Sequence, residues 1–212
     1  MTRGDKQNSR QIQGINSVVL VGYSGEVIFS HCSCGENFYG MTVSVPRLSG
    51  VSDVLPLTVP ETLCPQAIAP GSRILVEGQL RSYRRFDGER HRLVLSVFCK
   101  SVQLVFDGYL SSNSVNISCV LVKEPVIRRT PLGREICDLL VSVPRVYGKS
   151  DVIPVITWGA YATAAADLSV GQRVEIAGRF QSREYQKKLM DGSIEERTAY
   201  ELSATEITVK ND

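Results

Sequence analysis

Basic and aromatic side chains alternate along two segments of this sequence. Residues 81–92 (RSYRRFDGERHR) contain five arginines against two acids, and residues 179–188 (RFQSREYQKK) contain four basic residues against one acid, around Tyr185. Arginine and lysine contact phosphates, and aromatic rings stack on bases. The two segments therefore predict nucleic-acid contacts. A solvated hairpin whose arginines only keep the protein soluble would show the same pattern of residues.

Other chemistry has little support in the sequence. Residues 31–34 (HCSC) could form half of a metal site, but no second Cys/His pair follows and structural zinc needs four ligands. The chain has two histidines, no P-loop, no Rossmann glycine pattern and no nucleophile motif. We therefore expect no metal, no cofactor and no enzyme.

Composition points to a globular chain. Of the 212 residues 43% are hydrophobic, the net charge is +2, and no apolar run is long enough to cross a membrane. Residues 1–14 lack the apolar core of a secretory signal, so a cytoplasmic protein is expected. Cys99, Cys119 and Cys137 lie in apolar runs and are predicted to be buried thiols.

The chain repeats itself. Residues 43–47 (VSVPR) recur at 141–145, and residues 52–56 (SDVLP) recur as 150–154 (SDVIP), both at an offset of 98. The order is kept further along the chain, and the offset drifts only at segments typical of loops. The repeat predicts two domains, 14–108 and 113–210, with a polar linker near 107–114.

Each copy is predicted to be mostly strand. β-branched and alternating apolar residues indicate five strands per copy, with a short helix between the third and fourth. This layout is that of two tandem OB-fold, five-stranded Greek-key barrels in an all-β chain. Gly78 and Gly178 interrupt the long fourth strands, where a bulge or bend is expected.

The second copy resembles the bacterial single-stranded DNA-binding protein family. The resemblance rests on residues 138–145, 153–159, 168–185 and 197–202, with 125–133 resembling the first hairpin of the family. The first copy matches more faintly. The resemblance implies binding of single-stranded DNA without sequence preference, by bases stacked on aromatic rings and phosphates held by lysine and arginine.

Carried over by position, Tyr147, Trp158 and Tyr185 fall on stacking sites of the family. Trp158 could instead belong to the core, and Tyr147 could be a solvated loop residue. Six cations near these rings are expected to contact phosphate: Arg128, Arg145, Arg179, Arg183, Lys187 and Lys188. Arg128 could instead simply be solvated.

The first copy departs from that pattern. Ser49, Pro60 and Arg85 stand where the second copy has the three rings, so its predicted contacts lie on its basic hairpin instead. They are Arg81, Tyr83, Arg84, Arg85, Phe86, Arg90 and Arg92. This copy is expected to bind differently or to serve in assembly.

The sequence thus predicts a non-catalytic binder of single-stranded DNA in replication, recombination or repair, with RNA left open as a ligand. By analogy with the four domains common in the family, two per chain suggest a homodimer. No acidic, glycine-rich recruitment tail of the kind usual in the family is visible after Val209, so we do not expect partner recruitment by such a tail. The alternative is an OB-fold protein-interaction scaffold, or a replication-restart accessory, with weak or no DNA binding.

Overall fold

The computed structural model describes residues 14–86, 88, 91–130, 132–188 and 192–210, but not the side chains of Tyr147 and Lys188. The first half holds β1 (Asn16–Ser24), β2 (Ile28–Ser33), β3 (Glu36–Pro46), β4 (Ser52–Pro60), β5 (Arg73–Phe86) and β6 (His91–Leu104). The second half holds β7 (Ser112–Arg129), β8 (Glu135–Pro144), β9 (Ser150–Trp158), α1 (Ala160–Ala166), β10 (Arg173–Lys188) and β11 (Ile194–Lys210).

Both halves close into a five-stranded barrel of the same topology. In the second half β7 pairs with β8 and β10, β9 pairs with β8, and β11 joins β10 antiparallel and β9 parallel. In the first half β1 and β2 together take the place of β7, and β4 and β6 form the parallel pair. The predicted tandem OB-fold is confirmed.

The interior of each barrel is filled by the apolar side chains that alternate along the strands. Burying each of these large side chains contributes roughly 1.5–3 kcal/mol. The largest fully buried ones are Leu20, Leu55, Ile74, Leu80 and Leu95 in the first half, which we call domain 1, and Ile117, Leu121, Ile153, Ile176, Phe180 and Leu202 in the second half, domain 2. The predicted burial of Cys99, Cys119 and Cys137 is confirmed, and burial raises the pKa of Cys99 and of Cys119 to about 12.

Both predicted glycine bulges are present. The β5–β6 register shifts between Glu77 and Gly78, and the β10–β11 register shifts between Ala177 and Gly178. A Cβ at Gly78 would lie 2.4 Å from the carbonyl oxygen of Phe98, so only glycine allows this close approach. The bulges bend the long strands, which continue past the barrels as hairpins.

The segment between the third and fourth strands differs in the two halves. Domain 2 has the predicted helix, α1, whereas domain 1 has two 3-10 turns, Glu61–Leu63 and Pro65–Ala67. Cys64 between the turns adopts a left-handed backbone (φ 48°), and Pro65 lacks the N–H that a continuous helix would use. The helix prediction therefore holds in full only for domain 2.

The two barrels share one sheet. β1 and β7 pair antiparallel from Asn16↔Ile117 to Val21↔Ser112, which joins all eleven strands into a single sheet. β7 therefore begins at Ser112, so the end of the predicted linker is strand.

A repeated polar contact also joins the domains. Asp151 is fully buried, pairs with Arg145 of its own domain, and accepts a hydrogen bond from the backbone N–H of Ser82 in domain 1 (2.6 Å). Arg145 also donates to the carbonyl oxygen of Ser82 (3.1 Å), and Arg81 lies 3.4 Å from Asp151. The contact connects strand β9 of domain 2 to strand β5 of domain 1.

The same contact recurs in the opposite direction. Asp53, also fully buried, pairs with Arg47 and accepts a hydrogen bond from the backbone N–H of Ser182 in domain 2 (2.8 Å). Val54 then donates its N–H to the Ser182 hydroxyl (3.1 Å). We refer to the two contacts together as the Asp–Ser lock. It fixes the relative position of the barrels, and with it the position of every surface that spans them.

Candidate nucleic-acid interface

The outer surface of domain 2 carries two of the three predicted aromatic residues, Trp158 and Tyr185. Trp158 lies at the end of β9, opposite Ile136 of β8, and is 38% exposed. Tyr185 lies on β10 opposite Arg197 of β11 and is 37% exposed. Neither ring belongs to the fully buried core, so both have surface on which a base could stack.

These aromatic residues share one face of the barrel. Paired residues of neighbouring strands point to the same side of a sheet, and the register places Trp158 with Ile136 and Asp138 on that side. Ser203 of β11 pairs with Ile156 of β9, which continues the face to β10. We call this the outer face of domain 2; on β10 it carries Arg179, Gln181, Arg183, Tyr185 and Lys187.

Cations surround Tyr185. The Arg183 guanidinium lies 5.7 Å from the centre of the Tyr185 ring, a cation–π distance. The Nε atom of Arg179 is buried and has no hydrogen-bond partner among the described residues. A ring flanked by guanidinium groups on an exposed strand can hold a base and its neighbouring phosphates together.

Carboxylates balance part of this charge. Arg128 pairs with Asp138, and Arg197 pairs with Glu195, whose pKa is lowered by the hydrogen bond from Arg197. Glu201 lies opposite Gln181 in the middle of the face, and burial raises the pKa of its carboxyl group. Arg128 is thus exposed and held in a surface ion pair, and its contact with phosphate stays a prediction.

A groove of about 530 Å³ lies where the hairpins of the two domains meet. We call residues 81–86 and 91–95 arm 1, and residues 183–188 and 194–199 arm 2. Arg92 of arm 1 lines the groove together with Tyr185 and Arg197 of arm 2. Predicted site residues of both domains therefore meet in one groove, which sequence reasoning did not anticipate.

Arm 1 exposes its predicted aromatic residues. Tyr83 is 51% and Phe86 59% exposed, and Arg84 and Arg85 between them are exposed as well. Phe86 packs on His91 with ring centres 5.1 Å apart. The arm therefore has the basic and aromatic surface that the sequence predicts.

Two predicted DNA contacts also have partners inside the protein. Arg145 and Arg81 were expected to reach DNA, but both guanidinium groups are engaged with Asp151 in the Asp–Ser lock. Burial lowers the pKa of Arg81, with a further contribution from neighbouring Arg145. These two arginines take part in the contact between the domains, and about a quarter of each side chain stays exposed, so their contact with DNA stays a prediction.

Three predicted contacts cannot be placed. Arg90 lies outside the described residues, and the side chains of Tyr147 and Lys188 are outside the description although their backbones are included.

Sequence reasoning missed an aromatic cluster on domain 1. His31 stacks on Phe38 with ring centres 5.0 Å apart and planes at 15°, and Phe38 packs on Phe98 at 6.0 Å. Arg81 lies over the Phe98 ring at 6.0 Å. The three rings come from β2, β3 and β6, so no local alternation in the sequence marks them.

The described residues offer no other obvious chemistry. They contain no group of three or more His, Cys, Asp or Glu side chains placed to hold a metal ion. Within the same residues, no helix is long and apolar enough to span a membrane.

Comparisons with known proteins agree with this picture. Residues 112–210 match the model of the single-strand binding protein family. A curated "single-stranded DNA-binding protein" of Clostridium tetani (strain Massachusetts / E88) is 35% identical over an alignment of 75 residues, which covers 32% of this chain and 52% of that protein. The chain thus spans about half the length of this relative.

The fold of the whole chain also has solved counterparts. The wild-type single-stranded DNA binding protein from Thermus aquaticus superposes with a TM-score of 0.72 at 19% identity, covering 94% of this chain and 95% of that one. A deletion mutant of the same protein gives a TM-score of 0.71, covering 94% and 96%. At this identity the likeness concerns the fold, and it extends over both barrels.

Proposed function

We propose that the chain binds single-stranded DNA without sequence preference, because residues 112–210 match the model of the single-strand binding protein family. Bases stack on Trp158 and Tyr185, and phosphates are held by the cations around them. The observation that carries the proposal is the outer face of domain 2, where two exposed rings lie among arginine and lysine side chains.

The contacts divide between two sets of residues. Arg179, Arg183 and Lys187 follow the strand that bears Tyr185, so they are placed to follow a phosphate backbone beside a stacked base. Arm 1 adds Arg84, Arg85 and the exposed Tyr83 and Phe86. None of these contacts reads a base edge in a fixed pairing, which is why we propose binding without sequence preference.

Such binding shields exposed strands, so we place the activity in replication, recombination or repair, with no chemistry of its own. We also propose that the chain acts as a homodimer, which would bring four barrels onto one strand.

The test is a binding titration followed by fluorescence anisotropy of labelled oligonucleotides. We expect tight binding of single-stranded DNA of mixed sequence, much weaker binding of the same sequence as duplex, and loss of affinity as salt rises. A single-stranded RNA of the same sequence measures the preference for sugar. No binding of single-stranded DNA at low salt would contradict the proposal and favour the protein-interaction scaffold.

A further inference from the structure

The outer face of domain 1 differs from that of domain 2 in where its aromatic residues lie. At the positions equivalent to Trp158 and Tyr185, domain 1 has Pro60 and Arg85. Its rings instead come from Phe38, which pairs with Pro60, and Phe98, which pairs with Thr58. Domain 1 has therefore not lost its aromatic residues; they occupy other positions on the same face.

The strand register connects this cluster to arm 1. Gln79 pairs with Phe98, Arg81 with Ser96, Tyr83 with Val94 and Arg85 with Arg92, so these pairs share one side of the sheet. The face thus runs from the arginines of arm 1, past Tyr83, to Phe98 and to the stacked pair of Phe38 and His31.

The charge of this face suits a polyanion. It carries Arg81, Arg85 and Arg92. Two carboxylates lie on the same side of the sheet, Glu36 two residues before Phe38 on β3 and Glu77 two residues before Gln79 on β5. The outer face of domain 2 includes Asp138, Glu195 and Glu201 at corresponding register positions. Domain 1 lacks a carboxylate at the position of Glu201, because Ser96 stands there and pairs with Arg81.

The rings of the cluster differ in how much of their surface a base could reach. His31 is exposed and covers Phe38, which is only 9% exposed, and Phe98 is partly exposed under Arg81. A base can therefore stack on the outer side of His31 or on the open part of Phe98, while Phe38 supports both from below.

From these observations we propose that domain 1 holds single-stranded DNA on the His31–Phe38–Phe98 cluster, and that a strand bound to domain 2 continues onto it along arm 1. The proposal rests on the proposed function, because it concerns the same ligand. It assigns to domain 1 a stacking site at positions where domain 2 has no aromatic residue, since Arg128, Ile136 and Ser203 stand there.

The geometry between the domains supports a continuous path. Arg92, at the arm end of the face, lines the same groove as Tyr185 of arm 2. Arg81 connects the cluster to the Asp–Ser lock, because it lies over Phe98 and beside Asp151. The lock thus holds the two stacking sites in a fixed relation.

The first experiment compares oligonucleotides of two lengths. One of roughly 8 nucleotides lies within the span of a single barrel, and one of roughly 32 nucleotides can reach both. The double variant His31→Ala, Phe98→Leu should lose about tenfold in affinity for the longer one, while the shorter one continues to quench Trp158 as in the wild type. Phe98→Leu keeps an apolar side chain in place, so the fold is retained.

The matched control is Phe29→Ala. Phe29 is an exposed phenylalanine of the same hairpin, but it pairs with Tyr39 and so lies on the opposite side of the sheet from Phe38. It should bind both oligonucleotides as the wild type does. An unchanged affinity of the double variant for the longer oligonucleotide, or an equal loss in Phe29→Ala, would overturn the proposal.

A second experiment needs no variant. An oligonucleotide with 5-iodouracil is photo-crosslinked to the wild-type protein, and the modified peptides are identified by mass spectrometry. Adducts on His31 or Phe98 support the proposal, and adducts confined to domain 2 overturn it. Failure of the proposed function is distinct from both results, because then the wild type binds neither oligonucleotide.

Discussion

Replacing Asp151 by asparagine tests the Asp–Ser lock. The carboxylate is fully buried, pairs with Arg145 and accepts the backbone N–H of Ser82, so Asp151→Asn removes a charge with at least two committed partners. Removing one member of a buried charge pair costs about 3–5 kcal/mol. Because the Arg145 side chain is 26% exposed, water replaces part of the lost contact, and we expect a loss of about 2–3 kcal/mol.

The assay is equilibrium unfolding in urea, monitored by far-ultraviolet circular dichroism. The matched control is Asp138→Asn, which removes a carboxylate of the same domain from an exposed pair with Arg128 and should cost below about 1 kcal/mol. If the domains also unfold separately in Asp151→Asn, the transition becomes broader and its apparent m-value falls. A free energy of unfolding for Asp151→Asn equal to that of Asp138→Asn would refute the reasoning.

Three further predictions concern binding and assembly. Replacing Arg84 and Arg85 together by alanine should reduce the slope of log K against log salt concentration by about 1.4, since each phosphate contact to a single strand contributes about 0.7. An unchanged slope in the anisotropy titration would mean that arm 1 does not contact the DNA. Burial raises the pKa of Glu201, so the carboxyl group binds its proton more readily as pH falls and binding should tighten in mild acid. The variant Glu201→Gln should bind DNA more tightly than the wild type at neutral pH and lose that part of the pH dependence. It should also be more stable at neutral pH, because the folded state no longer buries an ionised group. Equal profiles of Kd against pH for the variant and the wild type would contradict this prediction. Sedimentation velocity should give twice the 23.4 kDa of one chain, and a single-chain mass would contradict the homodimer.

Much of the fold could be predicted from the sequence. The repeat of VSVPR and SDV predicts two similar domains, and the glycines at 78 and 178 predict the bulges that bend the long strands. Apolar alternation then places the strands, because burial of one face is a local property of each segment.

The role of the repeated motifs could not be read in the same way. The arginine of VSVPR and the aspartate of SDV meet within one domain, but their contact with Ser82 or Ser182 depends on how the two barrels dock. From the sequence, Arg145 was therefore predicted to contact phosphate, although the equivalent residue Arg47 lies in the same VSVPR motif of the first copy. Two copies that both keep an arginine, an aspartate and a serine at matched positions could have indicated an internal contact.

The aromatic cluster of domain 1 was missed for a related reason. Transfer by position from the second copy finds Pro60 and Arg85 where rings are expected, and this suggests a domain without stacking residues. His31, Phe38 and Phe98 become neighbours only through strand pairing, which brings together residues up to 67 positions apart.

The central claim is that single-stranded DNA binds across these outer faces, and Trp158 tests it most directly. It is the one tryptophan in the sequence and lies, 38% exposed, on the outer face of domain 2. We predict that titration with unlabelled single-stranded DNA quenches its emission, that the midpoint shifts to higher DNA concentration as salt rises, and that duplex DNA gives little change. An emission that stays constant at low salt, under conditions where the protein is folded, would contradict the account.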